Sequence, residues 1–111
     1  MAQNDSNHPG LQPIDGLDPI IHSPTRMKIL AFLAIVESAD FTFLLNQTGL
    51  TRGNLSPNLR KLEEAGYVQS QKEFVERIPR TLIRLTDEGR AAIQRYNRSM
   101  QSVLDELLKE K

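Results

Sequence analysis

In the run FTFLLNQTGLTRGNLSPNLRKLEEAG, Gly49 closes one short apolar segment, and Thr51, two positions later, stands where the next can begin. A glycine ends a helix because it accepts the left-handed backbone conformation, and a threonine starts one because its side-chain oxygen accepts a hydrogen bond from a first-turn amide. Thr42 fits as the cap of the first segment, which carries Leu44 and Leu45, while the second runs on to Gly66. So little chain is left between the two that they must form a tight helix-turn-helix. Neither helix is long enough to bury its apolar stripe alone, and the flanking sequence has to supply the rest of the core.

Upstream, LDPIIHSPTRMKILAFLAIVE places Ser23 as a cap and Pro24 at the first helical position, with Met27, Leu30, Ala31, Leu33 and Ala34 recurring at helical spacing. This predicts a first core helix. Phe41 is a candidate for a brief edge strand. Downstream, YVQSQKEFV and RTLIRL alternate like strands about the polar link ERIP, a hairpin in which Pro79 fits only the tip or an edge. The last segment opens on Thr86, with Asp87 and Glu88 favouring the positive helix start, and continues as one long helix. Residues 1–16 show no apolar period and are read as a flexible tail, 17–98 as the domain and 99–111 as the end of the last helix. The fold class is therefore mainly α with a small β-hairpin.

Several function classes lack their residues. Cysteine is absent, which removes disulfides and thiolate metal sites, and the only histidines, His8 and His22, stand isolated. His22 is better read as a capping or packing residue, and Glu63 with Glu64 as the solvent side of a helix. No nucleophile–base pair and no glycine-rich phosphate loop is visible, so neither an enzyme, a metal site nor a cofactor is expected. With 39% hydrophobic and 25% charged residues the composition is that of a globular domain, and no apolar run approaches the roughly 20 residues of a membrane span. The start of the chain lacks the pattern of a secretory signal, and a cytoplasmic location is expected.

Four stretches, in this order, carry a resemblance: HSPTRMKILAFL, TGLTRGNLSPNLRKLEEAGYV, RIPRTLIRLT and LTDEGRAAI. Together they span about Leu17 to Ile93, and the set resembles the winged-helix transcription regulators, the group that includes the multiple-antibiotic-resistance (MarR) and arsenic-repressor (ArsR) families, above all their short single-domain relatives. The resemblance implies a winged helix-turn-helix that binds double-stranded DNA as a homodimer, with the second helix of the turn in the major groove and the hairpin as the wing. It names no small-molecule effector for this chain.

The residues suit that role. If the helix through Leu55 is continuous, Leu55, Leu59 and Leu62 share one stripe and face the core. Gly53, Ser56, Pro57 and Arg60 then face away from it, with Asn54 and Lys61 on the flank; Thr51, Arg52 and Asn58 complete the candidate contact set. Ser56 and Asn54 can meet base edges, and Arg60 can fork onto guanine or hold a phosphate. On the hairpin, Arg77 and Arg80 flank Ile78 and Pro79 as candidates for the backbone or minor groove, with Lys72 and Arg84 along the strands, unless Glu73 and Glu76 partly satisfy these cations within the hairpin. Formal net charge is zero, yet residues 51–98 carry ten Lys or Arg against six Asp or Glu, an excess of four. Pro57 departs from the small polar or basic residue the resemblance implies and breaks a local rule, since in a helix capped by Thr51 it leaves the Gly53 carbonyl unpaired. The expectation is a delayed helix start, with residues 51–54 in a looser turn.

In the last helix Ile93, Tyr96, Met100, Val103 and Leu107 recur at alternating three and four, with Leu104 and Leu108 beside them. Tyr96, Met100, Val103, Leu104, Leu107 and Leu108 are the candidate dimerisation surface; folding back onto the chain's own domain is the alternative for Ala92, Ile93 and Tyr96, and past Met100 a partner helix is expected. The competing reading is a winged-helix module that binds protein and not DNA.

Overall fold

A computed structural model describes residues 12–109, and most of the expected tail, residues 1–11, lies outside them. The chain forms α1 (Gln12–Asp15), α2 (Pro24–Ala34), β1 (Ala39–Asp40), α3 (Phe41–Thr48), α4 (Arg52–Glu64), β2 (Val68–Val75), β3 (Ile78–Leu85) and α5 (Asp87–Leu107). The three strands make one antiparallel sheet in the order β1-β3-β2. Residues 12–15, expected within the tail, form a helical turn packed on α5.

Each of the four longer helices starts on a side-chain cap. Ser23 Oγ accepts from the Arg26 amide at 3.2 Å with Pro24 in the first turn, Thr51 Oγ1 from Asn54 at 3.2 Å, and Thr86 Oγ1 from Gly89 at 2.9 Å. For α3 the cap is Asp40 and not Thr42, its Oδ1 accepting from the Phe43 amide at 2.7 Å. The expected edge strand moves with it, since Ala39 and Asp40 pair with Ile83 and Leu82, and Phe41 already belongs to the helix. Asp40 thus ends a strand and begins a helix within one residue. Gly49 ends α3 at φ 72°, the left-handed conformation its position requires.

The core sits where α2, α3 and α4 meet the sheet, around the fully buried Ile29, Leu33, Leu44, Leu55, Leu62 and Ile83. On α2 the buried set is Ile29, Leu30 and Leu33, which corrects the expected stripe. Met27 and Ala31 are exposed and Ala34 is half-buried; these three line an open apolar groove against Ile93 and Tyr96 of α5. α2 is apolar nearly all round, so periodicity alone did not say which side the core would take.

Where the hairpin leaves α4, the Thr86 amide donates to the Tyr67 carbonyl at 3.0 Å and Thr86 Oγ1 to the Gly66 carbonyl at 2.6 Å. α5 begins directly against this root. Gly89 is buried there, and a Cβ on it would run into the Tyr67 carbonyl and lie 2.9 Å from Leu85 Cδ1. Backbone cannot retreat as a flexible side chain can, so Gly89→Ala is expected to destabilise the fold by about 1 to 3 kcal/mol. Gly53 in α4 is exposed with nothing within 4 Å of its Cβ position, and Gly53→Ala is expected to add up to about 1 kcal/mol. Urea denaturation of the two variants checks both signs.

Candidate nucleic-acid interface

Burying Leu55, Leu59 and Leu62, each fully or almost fully, stabilises the fold by about 1.5 to 3 kcal/mol per side chain and fixes the rotation of α4. Thr51, Arg52, Gly53, Asn54, Ser56, Pro57, Arg60 and Lys61 are consequently all exposed. Asn58 is the exception, being half-buried and engaged: its Nδ2 donates to the Asn54 carbonyl at 2.7 Å and its Oδ1 accepts from Arg26 Nη1 at 2.9 Å. Arg26 also donates to the carbonyls of Ile20 and Pro19, which ties the strap before α2 to the flank of α4. Arg26 was not singled out from sequence, because an arginine in a first helical turn looks like any solvated cation.

The helix start is not delayed at Pro57, contrary to expectation. α4 begins at Arg52, and its first regular bond runs from the Leu55 amide to the Thr51 carbonyl at 2.8 Å. Gly53 and Pro57 are both on the exposed side, so the Gly53 carbonyl that Pro57 cannot pair stays open to water. The Thr51 cap and the buried leucines outweigh the remaining cost.

At the N-terminal end of α4, the Arg52 guanidinium lies over the Phe41 ring, 5.5 Å from its centroid, an attraction that holds a cation at the entry to the turn. A shallow groove follows, lined by Ser56, Arg60 and Glu63 of α4 and by Ser70, Thr81 and Ile83 of the sheet. Helix and wing thus share one concave surface.

The wing turns more tightly than the four-residue link expected from sequence. Val75 pairs with Ile78, leaving only Glu76 and Arg77 in the turn, at φ 53° and 69°. Ile78 and Pro79 belong to β3, and Pro79 is tolerated because β1 pairs only with Leu82 and Ile83, so that this end of β3 has a free edge. Two consecutive left-handed residues make the primed turn that suits strand twist, but Asn and Gly are its usual residues, and their absence hid it. The two wing arginines differ. Arg80 is bound to Asp40 through an Nη1–Oδ2 contact of 3.1 Å, whereas Arg77 stands exposed at the tip. Arg84 lies 3.9 Å from Glu73, so local pairing is real for part of the hairpin.

The candidate dimerisation residues also divide. Tyr96 is 8% exposed and belongs to the chain's own core, its hydroxyl 2.8 Å from His22 Nδ1, as the packing reading of His22 anticipated. Val103 is buried and Met100 half-buried within the same chain. Leu104, Leu107 and Leu108 remain open, the last two 70% and 80% exposed. The chain's own N-terminal side covers part of the stripe: α1 packs on α5, and the strap between α1 and α2, residues 16–23, packs Ile21 into the core beside Tyr96. Tyr67 anchors the same strap by donating its hydroxyl to Asp18, and burial together with that bond and the Asp18 charge pushes the Tyr67 pKa above its usual value.

Residues 25–104 match the family model of the winged helix DNA-binding domain. The chain belongs to this family. An uncharacterised protein of Methanocaldococcus jannaschii is 40% identical over 77 residues, 69% of this chain and 84% of that protein. A transcriptional regulator homologue from Pyrococcus horikoshii OT3 is similar in structure at a TM-score of 0.78 and 33% identity, covering 90% of this chain and 98% of the other. The Mycobacterium tuberculosis transcriptional regulator MosR, solved in complex with DNA, is similar at a TM-score of 0.63 and 26% identity over 88% of this chain and 70% of the other. These matches bear out the winged-helix regulator resemblance, and both family and fold are those of transcriptional regulators, not enzymes. Among the described residues no helix is long and apolar enough to cross a membrane.

Arg77 holds a backbone conformation in which glycine is at ease, at a cost of about 1 kcal/mol that buys no contact within the fold. Arg77→Gly is expected to leave stability unchanged or raise it by up to about 1 kcal/mol, the relief being partly offset by the greater chain entropy of glycine. Thermal unfolding followed by circular dichroism measures the sign; a clear loss of stability would show that the arginine is retained for the fold.

Proposed function

We propose that this protein is a homodimeric regulator that binds double-stranded DNA sequence-specifically, with α4 in the major groove and the wing on the backbone and minor groove. The observation that carries the reading is the continuous exposed surface from Arg52 through Ser56 and Arg60 to the wing, on the side of α4 opposite its three buried leucines. Asn54 and Ser56 are placed for base edges and Arg60 for guanine or phosphate; Thr51, Arg52, Lys61 and Arg77 serve the backbone. Gly53 and Pro57 keep the helix slim where it would approach the bases. Asn58 supports the helix instead of reading DNA, since its amide is already engaged, and Arg80 acts through its ion pair with Asp40. The M. tuberculosis regulator MosR, with the same fold, was solved with DNA.

Dimerisation rests on Leu104, Leu107 and Leu108, with Met27 and Ala31 of α2 as a second exposed apolar area beside α5. A monomeric domain gains nothing from three leucines exposed on the last turns of one helix, whereas a two-fold partner covers them and sets two copies of α4 at half-site spacing.

Fluorescence anisotropy on labelled duplexes across a salt series tests the DNA reading. Arg60→Ala and Arg77→Ala are each expected to weaken binding and to lower the slope of log K against log salt by about 1. Salt-insensitive binding to a protein partner, with no duplex affinity, would instead establish an interaction module. Replacing Leu104, Leu107 and Leu108 together by serine is expected to give folded monomers in sedimentation velocity with DNA affinity reduced at least tenfold; an intact dimer would place the interface elsewhere.

A further inference from the structure

The wing carries a feature that phosphate binding does not require. Phe74 is 78% exposed, the largest apolar side chain so open among the described residues, and it pairs across the hairpin with Pro79. Strand alternation defines where it points. Val68, Ser70, Lys72 and Phe74 share one face of β2, opposite Leu85, Ile83, Thr81 and Pro79 of β3. Val68 and Ile83 of that face are buried, and Ser70 and Thr81 line the groove shared with Ser56 and Arg60 of α4. Phe74 and Pro79 therefore stand on the side of the wing that faces the same way as the recognition surface. Lys72, Pro79 and Thr81, with the stem of Arg80 at the border, continue that surface outward.

Charge separates the two faces. The carboxylate of Glu73, on the opposite face, pairs with Arg84, and Arg80 pairs with Asp40, while the turn is balanced by Glu76 beside Arg77. On the Phe74 face the charged residue of the outer hairpin is Lys72, which is exposed and has no ion-pair partner among the described residues. An apolar edge next to an unpaired cation suits a polyanion whose interior is apolar. Reach agrees as well: four residues of strand beyond Ser70 place Phe74 about 13 Å further out, comparable to the roughly 12 Å width of the major groove that α4 would occupy.

We infer that Phe74, backed by the rigid Pro79 ring, is a wedge that enters the minor groove beside the recognition helix's site and partly unstacks a base step there, with Lys72 on the adjoining phosphate. This rests on the DNA-binding reading and deepens it. Side chains of this type kink duplexes by about 20–90° and favour steps that unstack easily. The wing then selects sequence by deformability, preferring flexible TA or CA/TG steps to stiff A-tracts, without a hydrogen bond to any base.

The test uses the full chain and two duplexes identical except at the position under the wing, one with TA steps and one with an A-tract. Each carries end-placed donor and acceptor dyes, and a second set carries 2-aminopurine at the step. The wild type is expected to bind the TA duplex more tightly, to draw its ends together and to raise 2-aminopurine fluorescence. Phe74→Ala, whose exposed position leaves folding intact, is expected to lose the bend, the fluorescence rise and the TA preference, while Phe74→Leu retains part of each. Lys72→Ala should weaken both duplexes alike. If Phe74→Ala bends and discriminates like the wild type while DNA binding persists, the wedge is overturned and the regulator reading stands. A changed sedimentation coefficient with unchanged bending would assign Phe74 to contact between copies and also overturn it. If the wild type binds no duplex at all, both readings fall together.

Discussion

Leu55, Leu59 and Leu62 are withdrawn from water on one side of α4, and a helix is a rigid cylinder, so their burial decides what every other side chain of α4 faces. Moving the stripe by one position would turn Ser56 and Arg60 toward the core and leave a leucine in their place. The cost of that error, about 1.5 to 3 kcal/mol for each leucine exposed and more for a buried guanidinium, exceeds anything the exposed residues could contribute to stability. Apart from the Thr51 cap and the Asn58–Arg26 tie, the outer face is therefore under weak folding demands. That freedom is what allows a glycine, a serine and a proline to occupy it.

The same separation explains what could be read from the sequence. The α4 stripe, the caps Ser23, Thr51 and Thr86 and the stop at Gly49 are local consequences of single side chains, and each was legible. Two misreadings are local, the start of α4 ahead of Pro57 and the two-residue turn at Glu76 and Arg77, and the others involve partners distant in sequence. Asp40 displaces Thr42 as a cap because β1 pairs with Leu82 and Ile83, some forty residues later. Ile29 and not Met27 is buried on α2 because the strap and α5 leave a groove on the other side. Tyr96 is covered by Ile21 and His22, some seventy residues earlier in the chain, and α1, which lies in the stretch expected as tail, packs onto α5, so that part of the apolar stripe is used within the domain. For the site, the positions on α4 followed from its periodicity, but the engagement of Asn58 by Arg26 and of Arg80 by Asp40 depends on contacts that no spacing encodes.

Arg26, Tyr67 and His22 give the strap a purpose beyond covering apolar surface. Arg26 ties it to Asn58 on α4, Tyr67 at the root of the wing donates to Asp18, and His22 meets Tyr96 on α5. One short segment thus touches the three elements whose mutual placement defines a winged helix. A cation and two ring groups do this at the periphery of the core, where directional bonds supply the geometry that apolar packing, being non-directional, leaves loose. The relative positions of α4 and the wing are set by these ties and by the Tyr67–Thr86 closure beneath Gly89.

Zero net charge is compatible with a nucleic-acid interface once distance is considered. At physiological ionic strength a charge is screened over about 8 Å, so a phosphate near Arg60 or Arg77 responds to its own neighbourhood and hardly to the far side of the domain. Of the three acidic residues in 1–22, Asp18 is engaged by the Tyr67 hydroxyl. Near the proposed surface Asp40 caps α3 and binds Arg80, and Glu73 faces Arg84, while Glu63 in the groove and Glu76 in the turn remain outside any ion pair among the described residues. What a duplex would meet is a short file of cations, Arg52, Arg60, Lys61, Lys72 and Arg77, interrupted by Glu63 and Glu76. On the proposed reading such a chain would gain little from non-specific attraction to DNA at long range, and selectivity would come from contacts made after docking, through the side chains of α4 and the shape of the wing.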